Sequence, residues 1–343
     1  MKKERIAIVN ALRTPMAKAG GRFAHMQADK LGSALFRELM IRSPIDKEEV
    51  DEVIIGNVAQ PIHAANIARV IALRAGFPEH IPSLTVHRNC ASGMESITTA
   101  VSRIYAGEGS IYVCGGVESM SNIPLVYNEK MTKLFSKLSS SKTIFDKVHT
   151  LFGFRPNFLK PIVGLMSGLT DPVSGLLMGS TAEVLAQDFG ISREEQDIFS
   201  LSSHQKAAKA KASGRFAKES MPIVYDEYKG EYLYYDDGIR EHQTLEKLAK
   251  LKPFFDRKNG TVTAGNSSQI TDAAAGVVLM SESEAKKRDL EPLGYLTDYA
   301  YEGLDPKRMG LGPVFATHKL FKQTGLSMDD IEIMEINEAF AAQ

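Results

Sequence analysis

Residues 5–116 alternate short β-branched runs with amphipathic helical stretches, and that rhythm restricts the chain to a layered α/β fold. Arg5–Asn10, Glu52–Asn57 and Ser110–Gly116 read as strands, and Lys30–Arg42 and Ala64–Ala75 as helices. Helices covering a mostly parallel sheet are expected. Within this rhythm Ser83-Leu84-Thr85-Val86-His87-Arg88-Asn89-Cys90-Ala91-Ser92-Gly93-Met94-Glu95-Ser96 reads as a strand running into a small-residue turn. The helix that follows, Met94 to Tyr105, carries Met94, Ile97, Val101, Ile104 and Tyr105 at helical spacing.

Cys90 falls on that strand–helix junction, over the first free N–H groups of a helix and the positive end of its dipole. Such a setting favours thiolate over thiol and leaves donors free to hold an oxyanion. Ala91, Ser92 and Gly93 are small enough for a substrate to approach the sulfur. A lone cysteine is more often a buried structural thiol. With strand, turn and helix start together, the reactive reading is favoured over that one. Cys114, inside the Ile111–Val113 strand run, reads as core.

A chain of 343 residues allows about two domains with real cores. Its 41 Lys and Arg against 42 Asp and Glu argue against general nucleic-acid binding, which needs a basic surplus. Two cysteines exclude a disulfide framework and a Cys-rich metal site, and they fit a reducing cytoplasm. Lys2, Lys3 and Arg5 precede an apolar run, Ile6 to Val9, that is too short for a signal-peptide core and reads as strand. No stretch has the apolar length to span a bilayer.

From Ser121 to Pro253 the pattern changes. Met131, Leu134, Phe135 and Leu138, then Ile144, Phe145, Val148, Leu151 and Phe152, form apolar stripes. Around them sit Lys130, Lys133, Lys137, Lys142, Lys147, Arg155 and Lys160 against only Glu129 and Asp146. An apolar stretch broken by Gly and Pro, Phe158 to Met178, leads to helical segments Ser180–Phe189 and Arg193–Ser213. The block, 121–253, reads as an insertion of loops and helices that covers a site. The α/β rhythm resumes with Gly260–Asn266, a helical start at Asp272–Ala275 leading into Gly276–Ser281, and Gly294–Ala300.

An internal echo follows. Asp46-Lys47-Glu48-Glu49-Val50-Asp51-Glu52-Val53-Ile54-Ile55-Gly56 and Ser327-Met328-Asp329-Asp330-Ile331-Glu332-Ile333-Met334-Glu335-Ile336-Asn337 share one design. Each has an acidic helix start, a β-branched strand, and a small or polar residue at the strand end. The pair suggests a duplicated domain whose second copy is unfinished.

Asn89-Cys90-Ala91-Ser92-Gly93-Met94 resembles the acyl-enzyme motif of the thiolases. Arg13-Thr14-Pro15, Gly115-Gly116-Val117-Glu118-Ser119-Met120, Gly260-Thr261-Val262-Thr263-Ala264-Gly265-Asn266-Ser267-Ser268 and Asn337-Glu338-Ala339-Phe340 also resemble thiolase blocks, in family order over essentially the whole chain. Arg155-Pro156-Asn157-Phe158-Leu159-Lys160-Pro161 is similar to the insertion of the β subunit of the fatty-acid oxidation trifunctional complex and its bacterial relatives.

The resemblance implies a thiolase-like duplicated α/β/α/β/α fold with an inserted loop domain and a truncated second half. Its N-terminal half would be 1–120 plus 254–285, the insertion 121–253, and the start of the C-terminal half 286–343. It implies a degradative thiolase of β-oxidation, cleaving 3-ketoacyl-CoA with CoA into acetyl-CoA and a shortened acyl-CoA. Cys90 matches the nucleophile that carries the acyl group, which splits one difficult step into two. Asn337 matches the asparagine that fixes a water in the oxyanion pocket, against the ordinary role of Asn as a strand-end turn residue. Ser268 matches the serine on the pantetheine arm of CoA, and Ala339 and Phe340 an apolar wall beside the thioester. Met178 and Gly179 match the contact to the acyl or pantetheine chain. Leu177 stands where many short-chain thiolases carry histidine, which leaves room for longer acyl chains.

CoA is expected as co-substrate, with no permanently bound cofactor and no metal. The family's Gly-His-Pro histidine and second cysteine lie beyond the Asn-Glu-Ala-Phe block, so these blocks are expected to be absent here and this form to lack full turnover. His87 is the histidine nearest Cys90 and is expected to be packed or on the surface. A homodimer or dimer of dimers is expected by resemblance. Segment 130–160 could meet an anionic membrane, a hydratase/dehydrogenase subunit, or the thiolase body as a lid. The competing readings are a biosynthetic acetoacetyl-CoA thiolase, a catalytically impaired acyl-CoA-binding or scaffold subunit and, ranked lower, a ketoacyl synthase or a papain-like hydrolase.

Overall fold

The computed structural model describes residues 4–343, so the basic residues Lys2 and Lys3 lie outside the described residues. Contacts divide the chain into two compact units, one of residues 1–122 and 179–343 and one of residues 123–178.

The larger unit is built on a seven-stranded sheet. Its main elements in chain order are β1 (Ile6–Arg13), α1 (Ala28–Ile41), β2 (Glu52–Gly56), α2 (Ile67–Arg74), β3 (Ser83–Val86), α3 (Ser92–Ala106) and β4 (Ile111–Ser119). In the smaller unit are α4 (Glu129–Ser140) and α5 (Ile144–Phe152). After it come α6 (Met178–Asp188), α7 (Arg193–Ala212), β5 (Thr271–Ser281), β6 (Gly294–Leu296) and α8 (Gly312–Thr324). Spatial order is β6-β1-β5-β4-β2-β3, with the short strand Ala17–Lys18 on the end of β5.

The side-chain period of two sorts these strands cleanly onto two faces. Ala7, Val53, Ile55, Val113, Val278 and Met280 meet α1 and α2, where Leu31, Leu35, Phe36, Leu39, Ile67 and Ile71 are fully buried. Ile6, Ile54, Tyr112, Cys114 and Leu279 point the other way, onto Ala100 and Val101 of α3. Each large aliphatic or aromatic side chain buried this way contributes about 1.5–3 kcal/mol. Cys114 is core, as its strand position implied, and burial pushes its thiol well up. Helix α3 is tied directly to the sheet: the Gly115 N–H donates to Ser96 Oγ at 3.0 Å.

The sheet is mixed rather than mostly parallel. β2 runs parallel to β3 and β4. β5 runs antiparallel to both β1 and β4, and β6 antiparallel to β1. β5 enters between β1 and β4 after a long excursion of the chain, so no helical crossover sets its direction. The helical start expected at Asp272–Ala275 is strand throughout. Alanine favours helix in isolation, but Ala275 pairs with Arg13 on one side and Gly116 on the other, which satisfies its backbone in the sheet. Small residues also leave room here, because a Cβ on Gly115 or Gly276 would lie 2.8 Å from the Phe36 ring.

The internal echo is half realised. Lys47–Glu49 and Met328–Asp330 are both single 3₁₀ turns closed by capping boxes, Asp46 with Glu49 and Ser327 with Asp330. The first leads into buried β2; after the second, Ile331–Asn337 forms no strand and Ile333 is 87 % exposed. A β-branched run becomes a strand only beside a partner, and among the described residues this one has none. Gly294–Ala300 likewise pairs only over Gly294–Leu296.

Compact division falls at 122/123 and 178/179, where 121 and 253 were expected. Residues 179–253 join the larger unit because α6 and α7 grip the 260–268 loop: Glu183 accepts the N–H groups of Thr261 and Val262 at 2.9 Å, and Gln196 donates to Thr261 Oγ1 at 2.9 Å. The smaller unit holds α4, α5 and a two-strand ribbon of Leu125–Val126 with Ile162–Val163. Asn128 caps α4 and donates to the carbonyls of Phe158 and Lys160 at 3.0 and 2.7 Å. Tyr127 and Phe135 meet edge to face, ring centroids 5.1 Å apart.

Candidate active site

Cys90 sits in a tight turn between β3 and α3 and is exposed. The amides of Ala91 and Ser92 donate back to Arg88 and Asn89 carbonyls at 3.0 Å, which winds the chain into the helix. Asn89 has φ 46°, a left-handed conformation that Asn tolerates better than other residues with a Cβ. Buried Ser92 locks the turn: its Oγ accepts from the Arg88 N–H at 2.9 Å and donates to the Asn89 carbonyl at 2.6 Å. The Glu95 N–H already bonds the Ala91 carbonyl, whereas the Gly93 and Met94 amides have no backbone acceptor among the described residues. Those two amides are the donors an anion at the helix start would use.

Three glycines let this helix start press onto the sheet. A Cβ on Gly56 would lie 2.2 Å from the Ser92 carbonyl oxygen, and one on Gly116 3.3 Å from Gly93 Cα. Gly93 itself has open space around it. So the turn rests on bare backbone at the end of β2 and within β4, and Cys90 itself is exposed.

Polar and aromatic groups fasten it laterally. Arg88 forms an ion pair with Glu95 on α3, and its guanidinium lies 3.9 Å from the centroid of the Tyr301 ring. Tyr301 in turn shares a 2.6 Å hydrogen bond with Thr98. The Arg88 bond holds the Glu95 carboxyl below its ordinary range. The sequence reading missed Tyr301, since a lone tyrosine in a loop carries no pattern. His87 is on the surface, and its Nδ1 accepts from the Asn89 N–H at 3.4 Å.

A second group of expected residues comes together elsewhere in the larger unit. Gly260–Ser268 is an irregular loop, not a strand, and its shape is held by Asn266. That buried side chain accepts from the Thr263 N–H at 2.7 Å and donates to Asp197 and the Thr261 carbonyl at 3.1 Å. The loop receives Asn337–Ala342: Ser268 N–H donates to the Ala339 carbonyl at 2.8 Å, and Ala341 N–H to that of Asn266 at 2.9 Å. Phe340 packs with Phe255, Ala182, Ala186, Val262 and Ala342. Gly179 lies against the same Phe255, whose ring would be 2.0 Å from a Cβ there. Thus Ser268, Ala339, Phe340 and Gly179 share one neighbourhood.

Asn337 is exposed, its carbonyl accepting the Ala339 N–H at 3.0 Å, and its side chain makes no hydrogen bond among the described residues. No hydrogen bond joins Cys90 to Asn337 among the described residues. Met178 closes the smaller unit, where its N–H donates to the Leu169 carbonyl at 2.9 Å. Beside Asn337, Ser203 donates to Glu338 at 2.6 Å, and burial lowers the pKa of the adjacent His204. No group of three or more His, Cys, Asp or Glu among the described residues could hold a metal ion.

Comparison with known proteins gives a consistent result. Residues 6–283 match the family model described as thiolase, N-terminal domain, and residues 290–343 the one described as thiolase, C-terminal domain. The second half was expected to be incomplete; the C-terminal domain is recognised over residues 290–343, and the sequence holds no Gly-His-Pro block and no cysteine after Cys114. A probable acetyl-CoA acyltransferase of Staphylococcus aureus (strain COL) is 40 % identical over 342 residues, covering 99 % of this chain and 82 % of the relative. A crystal structure of the Bacillus anthracis acetyl-CoA acetyltransferase superposes with a TM-score of 0.89 at 36 % identity, covering 99 % of this chain and 82 % of that one. Human mitochondrial 3-ketoacyl-CoA thiolase in complex with CoA gives 0.86 at 35 % identity, covering 99 % and 80 %.

Proposed function

The chain belongs to the thiolase family and is an acyltransferase, and we propose that it works in the degradative direction, cleaving 3-ketoacyl-CoA with CoA in fatty-acid β-oxidation. CoA is a substrate, with no permanently bound cofactor. The observation that carries the reading is the contrast between its two thiols: Cys90 is exposed at a helix start with two amides unclaimed, and Cys114 is sealed in the core.

In this mechanism Cys90 Sγ bonds to the keto carbon, the bond between that carbon and the α-carbon breaks, and its electron pair leaves as the acetyl-CoA enolate. The enolate takes up a proton to give acetyl-CoA. A second CoA thiol then attacks the Cys90 thioester, releasing the shortened acyl-CoA and the free thiol. Asn337 serves the enolate oxygen through a water, Ser268 the pantetheine arm, and Ala339, Phe340, Met178 and Gly179 the apolar walls. Leu177, apolar and half-buried, favours acyl chains longer than acetoacetyl. Thiolysis rates across chain lengths test this: kcat/KM is expected to rise by about tenfold from acetoacetyl-CoA to a medium-chain 3-ketoacyl-CoA. A preference for acetoacetyl-CoA would favour the biosynthetic reading instead.

A second reading concerns the smaller unit. On α5, Ile144, Phe145 and Phe152 are more than 80 % exposed, and Lys142, Lys147 and Arg155 lie close by in sequence. No helix among the described residues is long and apolar enough to cross a membrane. An exposed apolar face with basic flanks suits the interface of an anionic bilayer. Co-sedimentation with phosphatidylserine vesicles is expected at low salt, lost on F145E and weakened by high salt. Absence of salt-sensitive binding would reject this reading and favour a protein partner, either a second copy or a hydratase/dehydrogenase subunit.

A further inference from the structure

Glu118 belongs to the Gly115–Met120 block, yet the mechanism above gives it no part. It lies one residue before the end of β4, with its carboxylate turned toward the loop after β2. Oε2 accepts the Val58 N–H at 2.9 Å; Oε1 accepts the Ala59 N–H at 3.0 Å and Asn57 Nδ2 at 3.1 Å. Fully buried Asn57 also donates to the Val117 carbonyl at 2.8 Å, and its own N–H donates to the Val86 carbonyl at 3.2 Å. Val86 is the last residue of β3, and the next four are His87, Arg88, Asn89 and Cys90. Gly56, which precedes Asn57, is the residue on which the Ser92 carbonyl rests. One carboxylate therefore fixes residues 57–59, and of these Asn57 holds the end of β3 through its N–H and directly follows Gly56, which meets the start of α3.

We propose that Glu118 is a positioning residue for Cys90, acting through Asn57 and the 57–59 amides so that its carboxylate form holds the nucleophile against the start of α3. The inference rests on the reading of Cys90 as the acyl carrier. All three donors are N–H groups, so only the ionised carboxylate accepts them all; a protonated one turns a donor toward donors. Burial pushes the Glu118 carboxyl up, and the bonds from Val58 and Ala59, the charge of His87 and the Asn57 amide pull back. Among the side chains acting on it, the charge of His87 favours the carboxylate. The consequence is a turn that loosens as Glu118 takes up its proton, above the usual carboxylate range.

The test measures alkylation of Cys90 by iodoacetamide from pH 5 to 8 in the whole chain, with the adduct located by peptide mass spectrometry. Wild type, E118Q and E118D are compared, each with a melting curve. Dividing the E118Q rate by the wild-type rate at each pH removes the pH dependence that the two proteins share. That ratio is expected on the order of one-tenth near neutral pH and to climb toward one as the pH falls and the wild-type carboxylate is protonated. E118D keeps the charge with a shorter reach, so it should fall between the two and keep the pH dependence. It also carries the test if E118Q does not fold. A ratio near one throughout, or a lowered ratio that does not vary with pH, overturns the proposal. Alkylation needs no acyl-CoA, so the result stands apart from the success or failure of the thiolysis experiment.

Discussion

Cys90→Ala is expected to abolish acyl-enzyme formation and to lower acyl transfer by roughly a thousandfold or more, while leaving the melting temperature close to that of wild type. The two halves of that result have separate causes. On the proposed mechanism, reactivity is lost because the sulfur carries the acyl group between the two half-reactions. Stability is retained because the side chain is exposed and makes no side-chain hydrogen bond among the described residues. Cys114→Ala should do the reverse, since its sulfur is fully buried and donates to the Ser96 carbonyl at 3.4 Å. Isotopically labelled acetyl-CoA with peptide mapping reads the first effect directly. Label on any other residue, or label retained in C90A, would remove Cys90 from its assigned role.

Gly56→Ala is the substitution with the largest expected structural effect. The added methyl would meet the Ser92 carbonyl oxygen at 2.2 Å and its carbon at 2.3 Å, with the Gly93 nitrogen at 2.7 Å. All three are backbone atoms at the start of α3, so no side chain can swing aside. Either the helix start lifts off the sheet or β2 is displaced, at a cost of roughly 3 kcal/mol or more. Both outcomes move the turn that holds Cys90, so urea unfolding and acyl-enzyme formation should fall together. A variant with wild-type stability and acylation would show that the turn is not seated on Gly56. Gly93→Ala is the contrast, because a Cβ there meets nothing within 4 Å.

Much of this architecture is legible in the residues. Strands β1, β2, β3 and β4 follow from β-branched runs, and α1 and α3 from apolar spacing, because in those segments local preference and burial agree. The strand–turn–helix setting of Cys90 was legible for the same reason. What failed to read through is where neighbours decide. Asp272–Ala275 looks helical until β1 and β4 claim both its edges, and Ile331–Ile336 looks like a strand but lacks a ladder beside it. Gly260–Asn266 looks extended, but Asn266 and Glu183 hold its backbone from side chains, which no periodicity records. In the site, the motif residues Ser268, Ala339 and Phe340 lie in one neighbourhood. The supports of the cysteine turn escaped: Tyr301, Asn57 and Glu118 act through a few contacts across long sequence separations, and such contacts leave no repeat to find.

The glycines of β2, β4 and β5 stand side by side across the sheet, Gly56 beside Gly116 and Gly115 beside Gly276. On one face they admit the Phe36 ring of α1, and on the other the first turn of α3. The layer separating an apolar core from the Cys90 turn is at that row only a peptide backbone thick. Repacking around Phe36 thus has a short mechanical path to the Cys90 turn, and volume gained on the hidden face would be felt as displacement on the outer one. Core variants that spare every motif residue can in this way still change the chemistry.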